Sequence, residues 1–384
     1  MAAERRRPRS FQQRKNVLEL YDDRELIKRY RLDRQGILFV TDLVRNSITS
    51  PTVRNYALTA EMKVIMTLCF LATGKMQQCT SDDLGPSQST VSRVLNTTVA
   101  ALTIPVIVRQ FIDFPTDLQT IRQKQADFMR IAGFPGVVGT IDGTHVRIIA
   151  PTVNEETYIN RKGFHSINVQ VVFDANYKIL DLVPKWPGST HDARFLSQSG
   201  LTGLFEQNYV RPGCHLLGDS CYPLKHWLLT PYRRPQGEQQ LNYIRAHKVT
   251  RAVVERGIGQ LKRRFHVLHG EIRHSPERAC RIIMACGILH NICKARNLPL
   301  LDDDDNDDDD DENDDHGDDD SDHDENDDNT TEHTLQSISG RASFRDCFAN
   351  SHFGDSMSSS VAAPCANPVS CEAEGSSGGH TEMS

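Results

Sequence analysis

The sequence has no CxxC pair, no long apolar run and no apolar leader, and each absence excludes a class of protein. Its ten cysteines are scattered along 384 residues, so neither a cysteine-rich metal domain nor a disulfide framework is expected. The longest largely apolar stretch, Val64 to Ala72, is about half of what a bilayer span needs. Met1 to Arg9 is a basic arm, unlike the start of a signal segment. We therefore expect a soluble, intracellular protein in a reducing compartment, with no membrane partner.

Acidic residues are scarce in the first part of the chain, and basic residues are nearly absent from the last. Residues 1–301 hold 42 Lys and Arg against 25 Asp and Glu, a net charge of +17. Residues 302–384 hold 2 against 26, a net charge of −24. The basic body indicates a polyanionic partner such as DNA, because each neutralised phosphate releases counterions. The alternative is a basic protein that is merely soluble.

Helical periodicity runs from residue 17 to about residue 130, after a basic arm at 1–16 that we expect to be disordered. One helix is predicted to begin at Thr59, a good N-terminal cap, and to end at Gly74. We interpret residues 17–130 as a helical, DNA-binding-like region.

A helix-turn-helix is predicted inside this region. A link with Gly85 and Pro86 is followed by Ser87, which is typical of a helix cap. A helix, a tight turn and a second helix that begins with small polar and basic residues form the arrangement of a DNA-reading helix-turn-helix. The outward, DNA-facing residues of its second helix would be Gln88, Ser89, Thr90, Ser92 and Arg93. The alternative is a helical cap that only packs on the next domain.

From Pro135 the pattern changes to short strand-like runs. The predicted strands are 137–141, 145–149, 166–173, 178–184 and 215–217, with helices near 192–204, at 242–265 and from 275 onward. The last helix is predicted to begin with a cap at Ser275 and a proline in its first turn, Pro276. A group of strands, then a helical segment, a further strand and finally helices is the order of an RNase H-like domain. The predicted fold is thus α/β, with an RNase H-like catalytic domain at 131–300. Residues 301–384 are predicted to be a disordered tail, first acidic and then rich in Ser and Gly.

Three acidic residues lie where this order of elements could bring them together. Asp142 is predicted to end the first strand, Asp219 to end the later one, and Glu255 lies in mid-helix. Carboxylates so placed can converge on two Mg²⁺ ions. Each also has an ordinary structural interpretation: a hairpin turn at Asp142, a capped turn at Asp219. Glu255 could simply pair with Arg251 four residues earlier.

Basic residues accompany the acid on the helix. Lys248, Arg251 and Lys262 fall on or near the helix face that carries Glu255. We expect these three side chains to contact DNA phosphates.

Six motifs occur in order along the chain: GTIDGTHV, KGFHSINVQVVFD, WPGSTHDARF, LLGDSCYPL, VVERGIGQLKRRF and ILHN. On these motifs, residues 17–297 resemble the Harbinger/PIF superfamily of DDE transposases and the host nucleases derived from it. The resemblance implies an RNase H-like fold, cleavage of phosphodiester bonds with Mg²⁺ or Mn²⁺, and a catalytic, metal-binding triad at Asp142, Asp219 and Glu255. It also implies a separate Myb-like DNA-binding partner. Cys221 and Ile258 depart from the usual motifs, but neither change removes a ligand.

Asp192 competes for the second position of the triad, because it follows the third strand in GSTHD. We prefer Asp219, since the second acid of an RNase H-like site lies on the fourth strand. Asp192 is then a group that positions substrate, with a role as metal ligand left open. His145 and His191 are interpreted as residues that orient the ligands without binding the metal.

The leading hypothesis is therefore a metal-dependent DNA endonuclease in the nucleus. The basic cluster at residues 5–9 or a partner would direct it there, and a cytoplasmic pool is left open. One alternative is a DNA-binding or recruiting factor that retains the fold and no longer cuts. Another is a chromatin-binding protein that acts through its acidic tail.

The acidic tail is predicted to restrain DNA binding by the body. Residues 302–332 hold 21 Asp and Glu, and their tethering gives an effective concentration of about a millimolar at the basic surface. Truncation after Leu301 should tighten DNA binding, measured by titration at low salt, and added salt should shrink the difference because it screens both contacts. Equal affinity with and without the tail at low salt would show a tail that only adds solubility.

Overall fold

Helices make up the described chain as far as residue 132, and the sheet begins at residue 137. The computed structural model describes residues 16–50, 57–190, 196, 199–300 and 344–354. The basic cluster at 5–9, the acidic run at 301–343 and two predicted site residues, His191 and Asp192, lie outside the described residues.

The described residues between 17 and 132 form eight helices. These are α1 (Val17–Leu20), α2 (Asp23–Tyr30), α3 (Arg34–Ile48), α4 (Ala60–Thr73), α5 (Gln77–Leu84), α6 (Gln88–Leu102), α7 (Pro105–Phe111) and α8 (Leu118–Ala132). The ends of α4 are as predicted: the Thr59 hydroxyl accepts the Met62 N–H, and Gly74 ends the helix in the left-handed conformation.

α5 and α6 are joined by a three-residue turn, and the buried face of α6 packs on α3 and α4. The apolar stripe of α6 is buried, namely Val91, Val94, Leu95 and Val99. On the other side, Gln88, Ser89 and Arg93 are exposed, whereas Thr90 and Ser92 are half-buried.

A five-stranded mixed sheet follows, which confirms the predicted α/β class. The strands are β1 (Val137–Arg147), β2 (Ser166–Phe173), β3 (Ile179–Pro187), β4 (His215–Leu217) and β5 (Leu228–Leu229). Their order is β3-β2-β1-β4-β5. β2 is antiparallel to β1 and β3, whereas β4 is parallel to β1 and β5.

β1 corrects the prediction of two strands and of Asp142 at a strand end. It is one strand of 11 residues, and Asp142 and Gly143 lie inside it, opposite Val171 and Gln170 of β2. Because β2 is long enough to pair along this part of β1, the backbone groups at Asp142 are satisfied without a turn. The Asp-Gly pair is therefore not a hairpin.

Four more helices complete the described chain: α9 (Gly200–Glu206), α10 (Glu238–Arg264), α11 (Pro276–Ala295) and α12 (344–352). α11 starts with a proline at its first position after Ser275, as predicted. Within the described ranges no single helix is long and apolar enough to cross a membrane, although the bent pair α6 and α7 passes that test on length and composition.

α10 crosses β1, β2 and β4, and a glycine allows its close approach. A Cβ on Gly257 would lie 2.8 Å from the ring of Phe173, which is buried in β2. α11 packs on β3 and also on α6 and α7. One continuous apolar core therefore joins the N-terminal helices to this side of the sheet.

Polar contacts join the same two regions. Arg296, just past α11, forms a two-pronged ion pair with Asp33, with N···O distances of 2.9 and 2.6 Å. Arg31 Nε donates to the carbonyl oxygen of Arg264 at 2.9 Å. The helices before the sheet are thus fixed to the last turn of α10 and to the end of α11.

α12 corrects the prediction that the whole chain after residue 301 is disordered. Phe348, Ala349 and Phe353 are buried, and the Phe348 ring stacks on that of Phe134 with centroids 5.7 Å apart. The acidic and Ser-rich composition of the tail concealed a short segment whose aromatic residues bury enough apolar surface to dock.

Two buried histidines make stability depend on pH. Burial lowers the pKa of His215 and of His247 to about 4. The unfolded chain takes up protons at these groups below about pH 6.5, and the folded protein does so only near pH 4. The contribution of these two histidines to stability is therefore complete above pH 6.5 and falls between pH 6.5 and 4, by about 1.4 kcal/mol per pH unit for each histidine.

Urea unfolding at pH 7, 6 and 5 measures this effect, and His247→Gln should flatten the pH dependence. The same change at the exposed His269 serves as the control. An unchanged slope in His247→Gln would contradict the assignment.

Candidate active site

Asp142 is the most deeply placed of the three predicted acids, with 4% of its surface exposed. Its Oδ1 accepts the N–H of Gly143 at 2.8 Å. Its Oδ2 accepts an N–H of Arg251 at 3.1 Å. Since Arg251 belongs to α10, the Asp142 carboxylate lies on the face of the sheet that α10 covers.

Asp219 lies two residues past the end of β4, the strand next to β1. β1 and β4 are parallel, with Thr140 opposite Leu217, and Asp142 and Asp219 are each two residues further along. Asp219 Oδ1 accepts the N–H of Cys221 at 3.0 Å. The residue therefore also caps a turn, which was its alternative, purely structural interpretation. The two roles are compatible because this bond uses only one carboxylate oxygen.

Glu255 is joined to Asp142 through one guanidinium group. Arg251 donates from Nη1 to Asp142 and from Nη2 to Glu255 Oε1, the latter at 2.5 Å. The Asp142 and Arg251 side chains are 6% and 15% exposed, and that of Glu255 is 50% exposed. The predicted ion pair of Glu255 with Arg251 is present. Because Arg251 also pairs with Asp142, the acid of β1 and the acid of α10 contact the same guanidinium group.

Arg251 also sets the spacing of these carboxylates. Its guanidinium lies between Asp142 and Glu255, and in the described part of the chain no three His, Cys, Asp or Glu side chains form a group that could hold a metal ion. Two carboxylates share one positive charge, so these three side chains together carry a net charge of −1.

The sequence places these acids in a known family. Residues 141–291 match the DDE superfamily endonuclease family, a range that contains Asp142, Asp219 and Glu255. The mouse protein "Putative nuclease HARBI1" is 38% identical over 275 residues, which cover 70% of this chain and 77% of the mouse protein. The chain belongs to the Harbinger transposase-derived nuclease family.

Two further relatives agree with this assignment. The human protein of the same name is 37% identical to this Harbinger-derived nuclease over 275 residues, with the same shares covered. "Protein ALP1-like" of Arabidopsis thaliana is 27% identical over 297 residues, 71% of each chain. No solved structure matches the chain.

In this Harbinger-derived nuclease the predicted basic residues of α10 form a stripe with Glu255. Lys248 and Lys262 lie seven residues before and after Glu255, and Arg251 lies four before it, so all four share one face of the helix. Lys248 is exposed and Lys262 half-buried. The positive charges thus extend from the acids along α10 in both directions.

Other predicted residues are not brought to the three acids. His145 Nδ1 lies 3.0 Å from Ser166 Oγ, and three residues along a strand place its side chain on the opposite face from Asp142. On α6, Gln88 donates to Gln77 at 2.9 Å and Arg93 Nε bonds back to the Ser89 carbonyl at 3.3 Å. The α6 residues belong to a separate surface.

Sequence reasoning missed a set of arginines near Asp219. Arg233, Arg234 and Arg345 line a groove together with Ser220 and Tyr222. The adjacent arginines after Tyr232 were a visible signal. Arg345 carried none, because it lies in a tail where only one other basic residue occurs.

Proposed function

We propose that this protein is an endonuclease that hydrolyses phosphodiester bonds in DNA with divalent cations held by Asp142, Asp219 and Glu255. The observation that carries the proposal is the convergence of Asp142 and Glu255 on Arg251, with Asp219 two residues past the end of the neighbouring parallel strand β4. A surface ion pair needs no such convergence of a buried strand acid and a helix acid. The strand order, with three antiparallel strands followed by two parallel ones, supports an RNase H-like assignment of residues 131–300.

The donor set fits Mg²⁺ or Mn²⁺, because both prefer carboxylate oxygens. Asp142 and Asp219 would hold such ions from the sheet and Glu255 from α10, and Arg251 is the side chain that must give up its bond to Asp142. When bound, the cations supply an activated water and stabilise the leaving oxygen.

The chain's own residues would hold the DNA strand in place. The Arg251 guanidinium presents a planar fork that suits a phosphate as well as a carboxylate. Lys248 and Lys262 would contact phosphates on either side. A Cβ built on Gly259 meets nothing within 4 Å, so this part of α10 leaves room for a nucleic acid backbone.

The remaining parts of the chain are assigned to DNA capture. The α5–α6 helix-turn-helix in residues 17–130 would contact DNA through Gln88, Ser89, Thr90, Ser92 and Arg93. A Myb-like partner would add sequence specificity, and the basic cluster at residues 5–9 would serve nuclear entry.

A plasmid-nicking assay tests the proposal. The wild-type protein with Mg²⁺ or Mn²⁺ is expected to convert supercoiled plasmid to the nicked form, and EDTA should stop the reaction. DNA that is bound and never nicked with either cation would instead favour a factor that retains the fold and only binds or recruits.

A further inference from the structure

A groove of about 510 Å³ lies beside Asp219, and α12 forms one of its walls. Its lining includes Ser220, Tyr222, Tyr232, Arg233, Arg234 and Arg345. No acidic residue lines it among the described residues. Ser220 and Tyr222 follow Asp219 by one and three positions, so the groove begins where the candidate active site ends.

Arg345 is the most firmly placed of the three arginines. Its Nη1 donates to the carbonyl oxygens of Thr230 and Pro231, at 3.3 and 3.0 Å. The centre of its guanidinium lies 3.9 Å from the centroid of the Tyr232 ring. Its Nε is buried and has no hydrogen-bond partner in the described structure. The side chain is thus anchored on neutral groups and retains a donor that is not satisfied.

The position of Arg345 depends on the docking of α12. Phe348 and Phe353 fix this helix against Tyr243 and Phe134, and the Tyr232 hydroxyl donates to Asp346 at 2.9 Å. Asp346, the acid nearest in sequence to Arg345, does not line the groove. A segment remote in sequence therefore places a positive charge in the groove that Ser220 and Tyr222 also line.

Among the residues that the structure describes, no carboxylate neutralises the arginines of the groove. Within the described ranges, none of Arg233, Arg234 and Arg345 forms an ion pair with a carboxylate. Arg233 and Arg234 are exposed, so both are free to reorient. Three guanidinium groups around one groove match the anionic oxygens of a phosphate chain, since each fork can bind a phosphate in two-pronged fashion.

We propose that this arginine groove binds the sugar-phosphate backbone of the DNA strand that enters the site at Asp219, and that α12 supplies its third arginine. The proposal rests on the proposed function, because it takes the bound DNA to be the substrate. It adds a DNA contact to those proposed for Lys248, Arg251 and Lys262 on α10.

DNA binding in EDTA tests the groove without any need for cleavage. The anisotropy of a labelled duplex would be measured between 50 and 200 mM salt for Arg233→Gln, Arg234→Gln and Arg345→Gln. Each variant is expected to bind about tenfold more weakly at low salt. Each should also lower the slope of log affinity against log salt by about 0.9, equally on unrelated sequences.

Two controls separate the groove from general effects. Arg24→Gln removes the same charge from an exposed position on α2 and should change the affinity by less than about twofold. Because Arg345→Gln could also loosen α12, the decisive variant is the double replacement of the exposed Arg233 and Arg234.

The outcomes distinguish this proposal from the proposed function. If the slope of log affinity against log salt is unchanged in the double variant, the groove does not bind DNA, even if the wild-type protein nicks plasmid. A slope lowered by about two supports the groove, even if the wild-type protein never nicks plasmid, and in that case only the nuclease proposal fails.

Discussion

Asp142→Asn is expected to lower the rate of plasmid nicking by about 10³-fold or more while DNA affinity and folding are retained. The replacement is nearly isosteric. The amide oxygen can still accept the Gly143 N–H, but the side chain has no negative charge to offer a divalent cation. Single-turnover nicking rates with Mg²⁺, together with DNA binding in EDTA, measure the two effects separately.

Asp181→Asn provides a matched control in the same sheet. Asp181 lies on β3, where burial raises the pKa of its carboxyl group to about 6 and Gln170 is its hydrogen-bond partner. It is opposite Val172, on the face of the sheet away from Asp142. Its replacement should leave the nicking rate within a fewfold of wild type.

Asp219→Asn and Glu255→Gln should reproduce the loss seen in Asp142→Asn. Asp192→Asn tests the competing assignment of the second acid. If this variant no longer cuts while Asp219→Asn cuts normally, the second ligand has been misassigned.

Asn291→Leu is expected to destabilise the protein by about 3 kcal/mol or more. Asn291 is 2% exposed and bonds both backbone groups of Ile179: it accepts the N–H at 2.8 Å and donates to the carbonyl oxygen at 2.7 Å. It also donates to the Phe111 carbonyl oxygen at 2.8 Å. Leucine has a similar volume but would leave three buried backbone groups without partners.

The free energy of unfolding in urea checks this expectation. Asn96→Leu, on the half-buried side of α6, makes the same chemical change and should alter stability by about 0.5 kcal/mol or less. Equal stability of the two variants would mean that the three hydrogen bonds contribute little.

Local signals predicted the helices well because they act over a few residues. The cap at Thr59, the stop at Gly74 and the proline start of α11 each depend on one turn of chain. The strands were less certain. β5 has two residues, too few for any alternation, and the continuity of β1 through Asp142 depends on its partner β2.

In the candidate site, too, local patterns predicted some features and missed the contacts between residues distant in sequence. Motif order identified the three acids, and the spacing of Arg251 and Glu255 predicted their ion pair. The bond from Arg251 to Asp142 joins residues 109 positions apart, and no local pattern encodes it. Arg345 was missed for the same reason, because its neighbours Thr230, Pro231 and Tyr232 belong to the loop that follows β5.

The contacts between the N-terminal helices and the sheet determine how the protein unfolds. The two-pronged contact of Arg296 with Asp33, the bonds from Asn291 and the continuous core all cross the line between residues 130 and 131. A break in either part exposes apolar surface of the other, which couples their local unfolding into one cooperative event. DNA capture and cleavage, even if assigned to different segments, therefore depend on the same folding equilibrium, and a change that destabilises one segment also destabilises the other.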